Sequence, residues 1–85
     1  MNTPKIRKIT IPKGYYQEDN VMNFVTGNHA YGGYSIASIE KDEDDSSYVI
    51  LIKNKQNEVI EWKRFSASVP VTVEYSLNYD EDFDL

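Results

Sequence analysis

From Val69 the chain reads VPVTVEYSLNY, apolar at every second position as far as Tyr79. Successive side chains of an extended strand point to opposite faces, so this period of two describes a strand that buries one face and wets the other. A helix would scatter the same residues around its axis. A single strand is not stable in water, so the rest of the chain must supply its neighbours. Pro70 lacks an N–H and belongs at a strand start or on an edge, which makes this an edge strand near its beginning. An exposed edge can accept the backbone of a partner, including a second copy of the same chain as an edge-strand dimer.

Four other segments read as strands. Lys5 to Ile11 alternates, with Ile9 and Ile11 facing one way and Lys8 and Thr10 the other, and stops at Pro12 and Gly14. Tyr34 to Glu40 is rich in Tyr, Ile and Ser. SYVILIK, Ser47 to Lys53, is apolar on consecutive positions, as a central strand covered on both faces would be. Val59 to Phe65 places Val59, Glu61 and Lys63 on one face and Ile60, Trp62 and Arg64 on the other. One segment reads differently. In YYQEDNVMNFVTGN, Asp19 suits an N-cap, Val21, Met22, Phe24 and Val25 form an apolar stripe over two turns, and Gly27 suits a stop. The expected fold is therefore α+β: an antiparallel sheet of about five strands, flat or curled into a small barrel, with one short helix after the first strand. Residues 1–79 form the domain and 80–85 an acidic tail.

A chain of 85 residues makes one domain with one modest core. Stability of about 4–13 kcal/mol is expected. There is no cysteine, which excludes disulfides, thiolate nucleophiles and sulfur-ligated metal sites and suits a reducing compartment. No apolar run approaches the roughly 18 residues of a membrane span. The basic start MNTPKIRKITIPKG is not followed by the apolar core of a secretion signal. These features describe a soluble, cytoplasmic protein with no membrane partner.

Charge is unevenly placed. The net charge is −5, yet Glu40 to Asp45 carries −4 and Asp80 to Leu85 another −4, so the remainder sums to +3. Concentrated patches of one sign speed encounter with partners of the other.

Motifs for catalysis and cofactors fail on inspection. Gly27 and Gly32 have the spacing of a phosphate loop, but Gly33 and Tyr34 stand where lysine and a hydroxyl residue are required. That stretch reads as a loose connection. His29 is the only histidine and has no cysteine to share a metal with. Neither acidic run matches a calcium loop: counted from Asp42, the sixth position is Ser47 and the twelfth Lys53. The carboxylates lie in solvated runs, without the burial that raises the pKa of a general acid. No enzyme activity, cofactor or metal is expected.

Two functional readings remain. In the first, Asp42, Glu43, Asp44, Asp45, Asp80, Glu81, Asp82 and Asp84, with Tyr31 and Tyr34, grip the lysines and arginines of a basic protein, such as a nuclease or another nucleic-acid-handling protein. An acidic module of this kind competes with nucleic acid by imitating its phosphates. Phage anti-defence inhibitors and immunity proteins share this size and charge, which is an analogy of class. In the second, rings and cations such as Trp62, Lys63, Arg64 and Phe65 hold single-stranded nucleic acid. The closing EDFDL resembles, over those five residues, the acidic and hydrophobic tails of bacterial and phage single-stranded DNA-binding proteins, where the tail recruits replication partners. The order of elements departs from the barrel of those proteins, which places its helix after the third strand. A body of only +3 favours the first reading, and direct nucleic-acid binding is not expected.

Overall fold

The structure, a computed structural model, describes residues 5–76. The chain runs through seven strands and no helix: β1 (Ile6–Ile11), β2 (Met22–Val25), β3 (His29–Tyr31), β4 (Tyr34–Lys41), β5 (Tyr48–Lys53), β6 (Val59–Phe65) and β7 (Thr72–Tyr75). All pairings are antiparallel and belong to one sheet, with path β2-β1-β4-β5-β6. β3 adds to β4, and β7 adds to β1.

The expected α+β class is thus corrected to all-β, and the helix between Asp19 and Gly27 is the reason. Met22–Val25 pairs along β1, with Ile9 opposite Phe24 and Ile11 opposite Met22. Over these four residues burial alternates: Asn23 is exposed, Phe24 buried and Met22 half-buried. The stripe that suggested two helical turns is also a period-two stripe, and so short a window cannot separate the two. Two turns of helix would be marginal alone. Val21 and Val25 are β-branched and fit a pleated surface, and the ladder of β1 offers partners to the backbone groups of β2 that face it. Asp19 lies in the loop between β1 and β2 rather than at a cap.

β3 and β4 form a second hairpin that replaces the loose connection expected over the glycines. Tyr31 and Tyr34 face each other across Gly32 and Gly33. Gly32 has φ +54°, the left-handed region that the first central residue of a tight hairpin requires. His29 closes the hairpin, its Nε2 lying 2.9 Å from the carbonyl oxygen of Gly32.

Four register shifts curl the sheet. One lies in the β1/β7 pairing, one between His29 and Tyr31 on β3, one between Ile36 and Ser38 on β4, and one at Trp62 on β6. Each extra residue bends the strand and increases its twist. The shift on β4 lets Ile36 and Ile39 both face the core. That on β6 turns Lys63 onto the same face as Ile50 and Phe65 onto the face of Tyr48, so the strict alternation expected for β6 is broken. Curling brings the two ends of the path together: Phe24 on β2 lies with its ring 5.8 Å from both Phe65 and Trp62 on β6. The core between them consists of Ile9, Ile11, Phe24, Ile36, Ile39, Ile50, Ile52 and Phe65, with Val69, Val71 and Val73 packed against it. β7 pairs only with β1 among the described residues, as expected of an edge. No helix of the described residues is long and apolar enough to cross a membrane.

Candidate functional site

The sequence's candidate residues fall into two clusters at opposite ends of β4. Tyr34 begins the strand and Asp42 follows its last residue. Eight residues at roughly 3.3 Å each separate them by about 26 Å. Tyr31 and Tyr34 therefore cannot act in one small site with Asp42–Asp45. Asp80, Glu81, Asp82 and Asp84 lie outside the described residues.

At the acidic end, the β4–β5 turn is built from its own carboxylates. Asp42 Oδ1 accepts the backbone N–H of Asp44 at 2.8 Å, and Asp45 Oδ1 accepts that of Ser47 at 2.9 Å. Aspartates hold turns in this way because a short side chain reaches the amide two residues on. Ser46 takes φ 64° to complete the reversal. Arg64 on β6 then gathers three carboxylates. Its guanidinium donates to Asp42 at 3.0 Å and to both oxygens of Glu61 at 3.0 and 3.1 Å, and Asp45 stands at 3.5 Å. Its bond to the Asp44 amide, then Arg64, holds the Asp42 carboxyl below the ordinary range. The bond from Arg64 does the same for Glu61. The Arg64 guanidinium is pushed further up, first by Glu61 and then by Asp42. Glu43 and Asp44 make no side-chain bond among the described residues, so they remain presented to solvent. Asp42, Glu43, Asp44, Asp45 and Glu61 against the single Arg64 leave the cluster at −4. The acidic run reads from the sequence as a turn held by local bonds from Asp and Ser side chains to the backbone, and in the structure that turn is a fixed anionic knuckle. On the same outer face, Arg64 stands directly opposite Val49, which is buried outside the main core.

At the other end, aromatic rings make a continuous path from core to surface. Around Phe24 and Phe65, which lie tilted at 39° to each other, three pairs meet edge to face: Phe24 and Trp62 at 88°, Tyr16 and Phe65 at 81°, Tyr16 and Phe24 at 71°. At the surface they lie closer to parallel. Tyr31 stacks on Tyr34 at 5.4 Å and 23°, and leans on Trp62 at 5.8 Å and 32°. Tyr31 is 47% exposed. The Lys63 ammonium sits 4.7 Å from the Trp62 ring and 4.6 Å from that of Tyr16. Of the aromatic residues whose burial the sequence leaves open, Phe65 is core, Trp62 is half-buried, and Tyr15 and Tyr16 are exposed.

Sequence reasoning grouped Lys63 with the Trp62 ring, which it indeed approaches, but did not assign Arg64 or Glu61 to the acidic cluster. The Arg64 contact is encoded in register alone: Glu40, Val49 and Arg64 form one cross-strand row, which carries Arg64 toward the turn that follows β4. The Lys63 position depends on the bulge at Trp62, and no local residue signals it. A shallow groove of about 590 Å³ also opens where Lys5, Ile6, Thr26, Ala37–Lys41 and Tyr75 meet, reaching the residue before the acidic turn. Among the described residues, no group of three or more His, Asp or Glu is arranged to hold a metal ion.

The two clusters define a small all-β protein with a charged knuckle at one end and an aromatic face at the other. No protein family matches the chain, and neither the curated proteins nor the solved structures compared with it contain a match.

Proposed function

We propose that the protein is a non-catalytic, cytoplasmic binding module whose acidic β4–β5 turn occupies a cationic surface of a protein partner, as an inhibitor or modulator of a nucleic-acid-handling protein. The observation that carries this reading is the way Arg64 holds Asp42, Asp45 and Glu61 in place while Glu43 and Asp44 stand clear and the cluster keeps −4. A pre-ordered set of carboxylates loses less conformational freedom on binding than a loose run. Clustered negative charge also steers a basic partner and raises its rate of association. Tyr31 and Tyr34, at the far end of β4, belong to a different contact.

The test is a titration of the isotopically labelled protein with an arginine-rich peptide, followed by amide NMR. Shifts are expected at Asp42–Ser47 and around Glu61, fading as salt is added. The double variant Glu43→Gln, Asp44→Asn keeps the two turn-building aspartates and should bind more weakly. Equal binding by that variant, or shifts centred on Tyr31, would overturn the proposal.

A further inference from the structure

We propose that the Gly32–Gly33 end of the sheet is a platform for single-stranded nucleic acid, with bases stacking against Tyr31 and Trp62 and phosphates met by Lys55 and Lys63. The inference is independent of the acidic turn and concerns the opposite end of β4.

Three observations carry it. The first is ring geometry. Three of the four ring pairs around Phe24 and Phe65 meet edge to face, the ordinary way of filling space, and the fourth, Phe24 with Phe65, is tilted at 39°. Toward the surface Tyr34 and Tyr31 are stacked at 23° and Trp62 leans on Tyr31 at 32°, a short array with Tyr31 exposed at its face. A planar base extends such an array, and every base has a face to offer, so the contact tolerates any sequence. The array is also set in advance: Tyr31 and Tyr34 flank a two-residue turn braced by His29, and Trp62 is packed against the core through Phe24.

The second is local charge. Lys55 lies in the turn that joins β5 to β6 at the Tyr34 end of the sheet, whereas Lys53, which ends β5, falls on the outer face with Val49 and Leu51. Lys63 lies beside the Trp62 ring. Neither Lys55 nor Lys63 forms an ion pair among the described residues. Against them in the β5–β6 turn stands Glu58, bonded to Asn54. Two lysines and one glutamate leave this end at +1.

The third is distance. Summed over the whole chain, a charge of −5 argues against a polyanion. The carboxylates of the β4–β5 turn, however, are about 26 Å along β4 from Tyr34, at roughly 3.3 Å per residue. At physiological salt the field of an exposed charge is largely screened within about 8–10 Å. Glu61 and Arg64 of the acidic cluster flank Trp62 and Lys63 in sequence, but they stand opposite Leu51 and Val49 on the outer face, whereas Lys63 stands opposite Ile50 on the inner one. The loop that carries Tyr16 also carries Glu18 and Asp19, so the favoured path runs from Lys63 over Trp62 and Tyr31 toward Lys55, away from that loop.

Trp62 is the only tryptophan and so reports on its own site. The experiment is titration of the full chain with a thymidine oligonucleotide and, in a second arm, a uridine oligonucleotide, read by tryptophan fluorescence at about 50 mM salt. Saturable quenching is expected in at least one arm, and the arms distinguish DNA from RNA. Affinity should fall with salt at a log–log slope near 1.4, about 0.7 for each of two phosphate contacts. Tyr31→Ala should weaken binding by roughly tenfold. Lys55→Gln, an exposed change that leaves the core intact, should lower the slope by about 0.7. Glu43→Gln with Asp44→Asn, at the other end, should not weaken it. The proposal is overturned by an absence of quenching in both arms, by equal affinity for dextran sulfate, which has charge but no bases, or by an unaltered slope in the lysine variant. Protection of Tyr31 by a protein partner, without quenching by either oligonucleotide, would assign the face to that partner instead.

Discussion

At the Gly32–Gly33 end of β4 the chain reverses on glycine and surrounds the turn with aromatic rings; at the Asp42–Ser47 end it reverses on carboxylates that bind its own amides. Both ends belong to one sheet and share the row of isoleucines between them, Ile36 opposite Ile52 and Ile39 opposite Ile50. What differs is how each is coupled to the core. Trp62 reaches it through Phe24, which also touches Phe65 and Tyr16. Asp42 and Asp45 reach only Arg64 and their own turn, on the outer face and in partial contact with water. The aromatic end should therefore respond to changes in core packing, and the acidic end to pH and salt.

Phe24→Ala is the most severe way to break this contrast. Phe24 is 4% exposed and joins β2 to β6 across the curled sheet. Removing its ring leaves a cavity, and such truncations cost about 3–5 kcal/mol. Set against a total of about 4–13 kcal/mol for 85 residues, that is enough to threaten folding. Urea unfolding should show the loss, with Trp62 fluorescence altered in whatever remains native. A cost below about 1 kcal/mol would mean that β2 and β6 do not depend on one another.

The two turns themselves offer a smaller, opposed pair of effects. Gly32 has φ +54° with open space where a Cβ would stand, so Gly32→Ala meets only backbone strain, about 1–2 kcal/mol. Ser46, with φ 64°, carries that kind of strain already. Ser46→Gly should relieve it, less the added freedom of glycine in the unfolded chain, for a change of at most about 1 kcal/mol. Thermal melts of the two variants should move in opposite directions. Movement in the same direction would mean that the acidic turn draws its shape from the Ser46 side chain rather than from its backbone.

Much of the sheet was legible because it is local. β1, β4, β5 and β6 each carry turn-forming residues at their ends and an apolar run between, and Val59–Phe65 has the boundaries its sequence implies. The failures arise where local pattern is silent. Met22–Val25 is too short for period two and period 3.6 to be distinguished, and only pairing with β1 decides. The Gly-Gly pair between two tyrosines was a hairpin signal, concealed by its likeness to a phosphate loop. Tyr31 and Tyr34 do meet, and Asp42 to Asp45 do share a turn, but nothing in the sequence places those two groups at opposite ends of one strand. The link from Arg64 to the turn escaped notice because Asp45 and Asp42 lie 19 and 22 residues away, reached only through two hairpin registers.

The smallest effect is the most informative about the acidic end. Arg64→Met keeps a long apolar stem opposite Val49 while removing the guanidinium that Asp42, Asp45 and Glu61 share. At pH 7 the variant should melt below the wild type, because three carboxylates then face one another without a cation. The carboxyls of Asp42 and Glu61 are held below their ordinary values in the folded protein. Their contribution is thus complete above the ordinary carboxyl range, near pH 4, and disappears as the pH falls through the lower folded values. The gap between wild type and variant should accordingly be widest near neutrality, close as the solution becomes more acidic than about pH 4, and narrow with added salt at pH 7. Melting curves across pH 2–7 check this. A gap that persists unchanged at pH 2 would mean that Arg64 acts by covering Val49 and that the carboxylates are not held by its charge.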